Sequence, residues 1–177
     1  MAAGSSRVFF ALWPDDALRA VLAALAREVA RETRGRPPAE SNVHLTLAFL
    51  GEQPAQRVKA LLKLASSLGG TRFALTFDEI GCFRRSGVAW LGAGAPQPDL
   101  LALQTNLALA LRDDGFPLDE RPYTPHLTLA RRIRTPTHRK LATPIIWEVS
   151  SFALVASELG RAEPRYRTLA EWPLAGS

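Results

Sequence analysis

The pentapeptide His44-Leu45-Thr46-Leu47-Ala48 recurs, residue for residue, as His126-Leu127-Thr128-Leu129-Ala130. The copies stand nearly half the chain apart, each behind a helix-like stretch and a loop, and together they use two of only three histidines. Repetition at that spacing points to duplicated lobes, each offering one copy. Side chains on a strand alternate faces with a period of two. His44 and Thr46 therefore share a face, as do His126 and Thr128, while the leucines point to the opposite face for burial under helices. If the lobes face each other, two imidazoles and two hydroxyls converge on one point.

Working outward, short β patterns alternate with amphipathic helices. Arg7 to Leu12 reads as a strand. Asp15 to Thr33 reads as a helix with Leu18, Val21, Leu22, Leu25 and Val29 on one face, stopped by Gly35 to Pro38. Val43 to Leu50 is a strand followed by a turn, Gly51 to Pro54. Gln56 to Leu68 is a second helix. Alternation from Phe73 to Phe83 gives a strand, and Arg84-Arg85-Ser86-Gly87 turns it back into Val88 to Leu91. Asp99 to Asp113 is a third helix, striped by Leu100, Leu103, Leu107 and Leu111. After an irregular connection come strands at His126 to Arg131, Ile145 to Ser157 and Tyr166 to Trp172, the last two each with a break. Strands adjacent in sequence favour hairpins. The expected class is α+β: a bilobal unit over residues 1–177 with an internal pseudo-repeat, two mainly antiparallel sheets, helices on the outer faces and a central cleft carrying one His-x-Thr motif per lobe.

Composition agrees with a single folded unit. A chain of 177 residues buries roughly 70% of its unfolded surface without a metal or disulfide staple. Hydrophobic residues make up 47% and charged residues 22%, which excludes disorder. No apolar run approaches the roughly 20 residues that span a bilayer. The lone Cys82 excludes an internal disulfide and a multi-cysteine zinc site. The stretch after Arg7, VFFALW, ends too early at Pro14-Asp15-Asp16 for a signal peptide, so a cytoplasmic location is expected. Net charge is +5. Arg121, Arg131, Arg132, Arg134, Arg139 and Lys140 follow one another with no acidic residue between, and Arg161, Arg165 and Arg167 come later. That balance favours polyanion partners.

Paired imidazoles and hydroxyls suit phosphoryl chemistry. One imidazole takes a proton from water while the other gives one to the leaving oxygen, and an unperturbed pKa near 6.5 makes both forms accessible at neutral pH. The threonine hydroxyls donate to phosphate oxygens. Two histidines without a neighbouring carboxylate under-fill a zinc shell, and no serine stands in a nucleophile elbow. Neither metal nor cofactor is expected.

The wider text strengthens the pattern. HLTL at 44–47 and 126–129, RVFFALWP at the start, NVHLTLAFLGE around the first motif and RPYTPHLTLAR around the second resemble the two-histidine phosphoesterase superfamily. Within it they resemble the RNA 2′,3′-cyclic phosphodiesterases, formerly called 2′-5′ RNA ligases. The resemblance runs from Arg7 to Trp172. It implies a bilobal fold with a central cleft, and hydrolysis of a terminal 2′,3′-cyclic phosphate on RNA to a 2′-phosphate. It also implies His44 as proton donor, His126 as proton acceptor, and Thr46, Thr128 and Arg131 as phosphate ligands. RNA ends are then the partner, with no membrane and no obligate protein partner, so the protein is expected to be a monomer.

Strand parity opposes one of these assignments. His126, Thr128, Ala130 and Arg132 share a face, so Arg131 should point away: either the strand ends or bulges at Ala130, or Arg132 is the phosphate contact, and the resemblance favours Arg131. Tyr123 and Phe49 are candidates to stack on a base, against a packing role for each. Pro122 and Pro125 restrict the loop before the second motif. His138 is expected in an exposed basic loop, and Cys82 as a small strand residue. Other substrates for the same site are small cyclic nucleotides, ADP-ribose cyclic phosphate, or 2′-5′ ends joined by the reverse reaction. The non-enzymatic alternative is an RNA-binding module.

Overall fold

Eight strands and three α-helices follow one another in the computed structural model, which describes residues 5–158 and 164–176. They are β1 (Ser5–Leu12), α1 (Asp16–Thr33), β2 (Leu45–Pro54), α2 (Ala55–Ser66), β3 (Phe73–Phe83), β4 (Val88–Gly92), α3 (Pro98–Asp113), β5 (Leu127–Arg131), β6 (Arg139–Val149), β7 (Ser151–Glu158) and β8 (Arg165–Pro173). A 3₁₀ turn at Glu40–Asn42 leads into β2. The strands lie in the order β6-β3-β4-β5-β2-β1-β7-β8, every neighbour antiparallel.

The two sheets expected from the sequence are thus one continuous sheet of two four-stranded halves. The halves meet at the β2–β5 seam through a single residue pair, Leu45 with Leu127. Each is the leucine that follows a motif histidine, so the duplicated pentapeptides lie side by side where the halves join. All three helices pack on one face of the strands. There Leu22 and Val29 of α1, Leu61 of α2 and Leu100 and Leu107 of α3 share one core with Leu45, Leu47, Leu127 and Leu129. The motif leucines are at most 1% exposed, so each imidazole stands on a strand anchored from behind. Among the described residues, a second, small apolar cluster of Phe9, Ala11, Ala153 and Val155, with Trp13 and Tyr166 against it, lies on the opposite face.

Three local expectations need correction. Residues 51–54 do not turn: β2 runs on to Pro54, paired with Ser5, because Gly51 at φ 67° takes up a register shift against β1. Val21 of α1 is 54% exposed and lies off the apolar face. The stretch before Ile145, expected as loop, is strand: Arg139 and Lys140 pair with Ile80 and Glu79 of β3.

Candidate active site

The same bulge is built into both halves. In β2, Ala48 pairs with Phe10 and Thr46 with Ala11, which leaves Leu47 without an opposite residue. In β5, Ala130 pairs with Ala89 and Thr128 with Trp90, which leaves Leu129 unmatched. An extra residue in a strand puts two consecutive side chains on one face. Leu47 with Ala48, and Leu129 with Ala130, are accordingly buried together in the helix-side core. The alternation resumes out of phase, so Phe49 and Arg131 return to the face of Thr46 and Thr128. The parity objection to Arg131 is thereby removed. Arg132, at φ 55°, ends the strand.

Each imidazole is held in the same way. His44 Nδ1 lies 2.6 Å from the carbonyl of Asn42, and His126 Nδ1 lies 2.8 Å from the carbonyl of Thr124. A carbonyl only accepts, so Nδ1 carries the proton in both rings and a neutral ring has its lone pair on Nε2. His44 Nε2 accepts from the Thr46 hydroxyl at 3.0 Å. The antiparallel sense of the Leu45–Leu127 pair sets Thr46 on the side of His126 and His44 on the side of Thr128.

The surroundings of the two rings differ. His44 sits among Phe9, Trp13 and Tyr166, with ring centroids 5.0, 5.4 and 5.3 Å away. His126 has one aromatic neighbour, the edge-on Phe83 at 5.0 Å. Burial pushes the His44 pKa down from 6.5 to about 4; the Asn42 carbonyl opposes this, and the charges of Arg131 and His126 add to it. Burial also lowers His126, opposed by its bond to Thr124 and helped by Arg131. Both shifts favour neutral rings at pH 7 in the absence of a ligand, and Arg131 lines the same cleft.

Both motifs open into one cleft of about 550 Å³, lined by His44, Thr46, His126, Thr128, Phe49 and Arg131. Phe49 is half exposed, and the Arg7 guanidinium lies 4.9 Å over its ring. Tyr123, expected as a stacking residue, is not among the cleft-lining residues. It packs against the main core, and its hydroxyl donates to the Thr46 carbonyl at 2.9 Å, which ties the loop before the second motif to the strand of the first. The aromatic residues that do line the cleft are Phe9, Tyr166, Phe83 and Phe49. The first three went unrecognised because apolar residues in strands read as core. Position 9 carried one usable signal: Phe9 and Phe10 are consecutive in a strand and must face opposite ways.

Elsewhere, His138 is exposed and pairs with Glu79 at 2.6 Å. Cys82 is a free, half-buried residue of β3. Arg161 lies outside the described residues. The basic run of the sequence is partly neutralised, since Arg121 pairs with Asp119 and Arg139 with Glu28. Among the described residues no helix is long and apolar enough to cross a membrane, and no three His, Cys, Asp or Glu residues gather as a metal-ligand group.

The model of the 2′-5′ RNA ligase superfamily matches residues 13–161, which takes in both motifs. The chain belongs to the 2′-5′ RNA ligase superfamily. Among relatives in this superfamily, the RNA 2′,3′-cyclic phosphodiesterase of Escherichia coli is 39% identical over 79% of this chain and 80% of its own. The enzyme of the same name from Thermus thermophilus is 32% identical over 96% and 91%. The crystal structure of E. coli LigT in apo form superimposes with a TM-score of 0.88 at 35% identity, over 97% of this chain and 99% of that one. LigT complexed with 3′-AMP gives 0.85 at 34%, with the same coverage. The α+β architecture is thus that of the superfamily's LigT structures.

Proposed function

We propose that this chain is an RNA 2′,3′-cyclic phosphodiesterase that opens the terminal cyclic phosphate to a 2′-phosphate. The observation that carries the reading is the matched pair of imidazoles, each with Nδ1 committed to a carbonyl two residues back and both lining one cleft with two threonines and Arg131. The names of its relatives supply the substrate.

In this reading the cyclic phosphate lies between the two Nε2 atoms. His126 Nε2 takes a proton from water as the water oxygen bonds to phosphorus. The bond from phosphorus to the 3′ oxygen breaks, and His44 Nε2 gives that oxygen its proton. One proton enters and one leaves the histidine pair, so a second transfer between the rings or through solvent resets it. The donor role requires a proton that free His44 does not hold at pH 7. The phosphate anion supplies the missing counter-charge, and the tendency of His44 to lose its proton in this setting helps it as an acid once charged. Protonation also releases the Thr46 hydroxyl, which donates to His44 Nε2 in the neutral state, to donate to phosphate instead. Thr128 and Arg131 face the remaining phosphate oxygens. Phe49, half exposed at the cleft, offers a surface for the terminal base. Both motifs stand on one chain, so a monomer suffices and the two halves act as one unit; the location is the cytoplasm expected from the sequence.

The test is hydrolysis of a 2′,3′-cyclic-ended RNA with a chelator present, followed by identification of the product. A 2′-phosphate formed at an undiminished rate is expected. A 3′-phosphate product, or activity restored only by added metal, overturns the scheme.

A further inference from the structure

Beside the cleft, three segments distant in sequence are stitched together by backbone hydrogen bonds. The end of α1 joins the exit of β5 through the Arg36 and Arg131 amides and carbonyls, at 2.8 and 2.9 Å, and through Arg134 N to the Thr33 carbonyl at 2.9 Å. The β3–β4 turn joins the same exit through Ile133 N to the Gly87 carbonyl at 3.1 Å. Together these segments expose Arg34, Arg36, Arg84, Arg85, Arg132 and Arg134. No acidic residue occurs in residues 33–38, 84–87 or 131–137. Among the described residues none of the six forms an ion pair, whereas Arg19, Arg27, Arg121, Arg139 and Arg167 all do.

The surface is continuous with the cleft, because Ser86, Val88 and Arg131 line it. On the far side it runs into a shallow groove of about 850 Å³ along α1, where Arg31, Arg34, Gly35 and Pro37 are exposed or half-buried. A second observation singles out two of its arginines. Among the described residues only Arg34 and Arg132 combine a side chain with positive φ, at 54° and 55°. Glycine takes that conformation freely and arginine does not. The backbone at both positions is held against the preference of its own residue, and what that retains is a guanidinium on each side of the Arg36–Arg131 bridge.

We propose that this three-loop arginine surface binds the phosphodiester backbone of the RNA strand leading into the cleft, and so selects oligonucleotide ends over cyclic mononucleotides. The inference rests on the phosphodiesterase reading above. None of the six arginines lines the cleft, so a mononucleotide seated there meets none of them. A longer strand brings phosphates past the cleft rim, and exposed guanidinium groups that form no ion pair are the groups that exchange counterions for phosphate.

The test compares kcat/KM for a cyclic-ended single-stranded oligonucleotide and a 2′,3′-cyclic mononucleotide over a tenfold range of salt. The oligonucleotide slope is expected to be the steeper, by about 0.7 in log–log terms for each phosphate engaged outside the cleft. The double variant R34G/R132G removes two charges where glycine fits the backbone, so its melting temperature should hold or rise. It should lower the oligonucleotide slope by about 1.4 and leave the mononucleotide rate within twofold. The variant K59A/K63A removes the same charge from exposed positions of α2 and should change neither slope. Equal salt slopes for the two substrates, an unchanged slope in R34G/R132G, or an equal loss in K59A/K63A overturns the proposal. If the wild type hydrolyses neither substrate, the phosphodiesterase reading fails separately. Fluorescence anisotropy with a non-cyclic oligonucleotide then decides the surface by the same comparison of variants.

Discussion

Protonating His44 in the free protein should unfold it more readily. Its pKa is about 4 in the fold against 6.5 for the free side chain. Between those values the unfolded chain holds more protons than the native one, so stability rises with pH across the window and is lost as pH falls through it. Moving from pH 7 to pH 5 then costs about 2 kcal/mol, or about 1 if water at the cleft-facing edge of the ring screens half of the effect. Urea unfolding at the two pH values, followed by tryptophan fluorescence, measures the loss directly. His44→Gln removes the titration, so the comparison is between the pH dependences of the two proteins and not their absolute stabilities. His126 contributes in the same direction in both. An identical loss in wild type and His44→Gln would refute the claim that burial holds His44 neutral. The same ionisation governs the reaction. Because kcat/KM reports the free protein and both imidazoles lie below 6.5, its optimum should fall on the acid side of 6.5. The optimum of kcat should lie at higher pH, since bound phosphate raises both groups.

His44→Ala and His126→Ala should each lower turnover at least about a hundredfold, and a 3′-thiolate leaving group, which needs little acid, should rescue only His44→Ala; rescue of His126→Ala instead reverses the two roles. Tyr123→Phe strips the Thr46 carbonyl of its donor and should cost about 1–3 kcal/mol, read as a lower urea midpoint at unchanged m-value; no change in midpoint would mean the bond contributes nothing. Gly81→Ala should destabilise by about 1–3 kcal/mol, because a Cβ there would meet the Trp90 ring at 2.3 Å. Trp90 pairs with Thr128, so that variant should also raise KM, and a wild-type melting curve would show that the ring moves aside freely.

Much of the fold and of the site is legible in the residues alone. The periods of Asp16–Thr33 and Pro98–Asp113 identify helices whose leucines reach the core, because burial of one helix face follows from spacing alone. His44, Thr46, His126 and Thr128 are placed on one face by strand parity and on one cleft by their repetition. Arg131 is reached by resemblance against parity, and the bulge at Leu129 explains why: a two-residue alternation cannot announce where an extra residue enters. The same device at Leu47 brings Phe49 into the cleft. Tyr123 went astray because a tyrosine in a proline-bearing loop reads the same whether its ring stacks on a ligand or its hydroxyl closes a hydrogen bond with Thr46, 77 residues away.

The basic surface shows the division most plainly. Composition and local order determined the net charge, the helices, the strands and the duplicated His-x-Thr pair, since each depends on near neighbours or on simple repetition. The run from Arg121 to Lys140 looked like the anion site, yet Arg121 and Arg139 are neutralised by Asp119 and Glu28. The exposed, unpaired arginines gathered beside the cleft come from residues 34–36 and 84–85 as well as from 132–134 within that run. Only the tertiary structure decided which charges are cancelled and which are gathered, because ion pairing depends on distance in space. The strand order that brings α1, the β3–β4 turn and β5 together is set by long-range pairing and core burial.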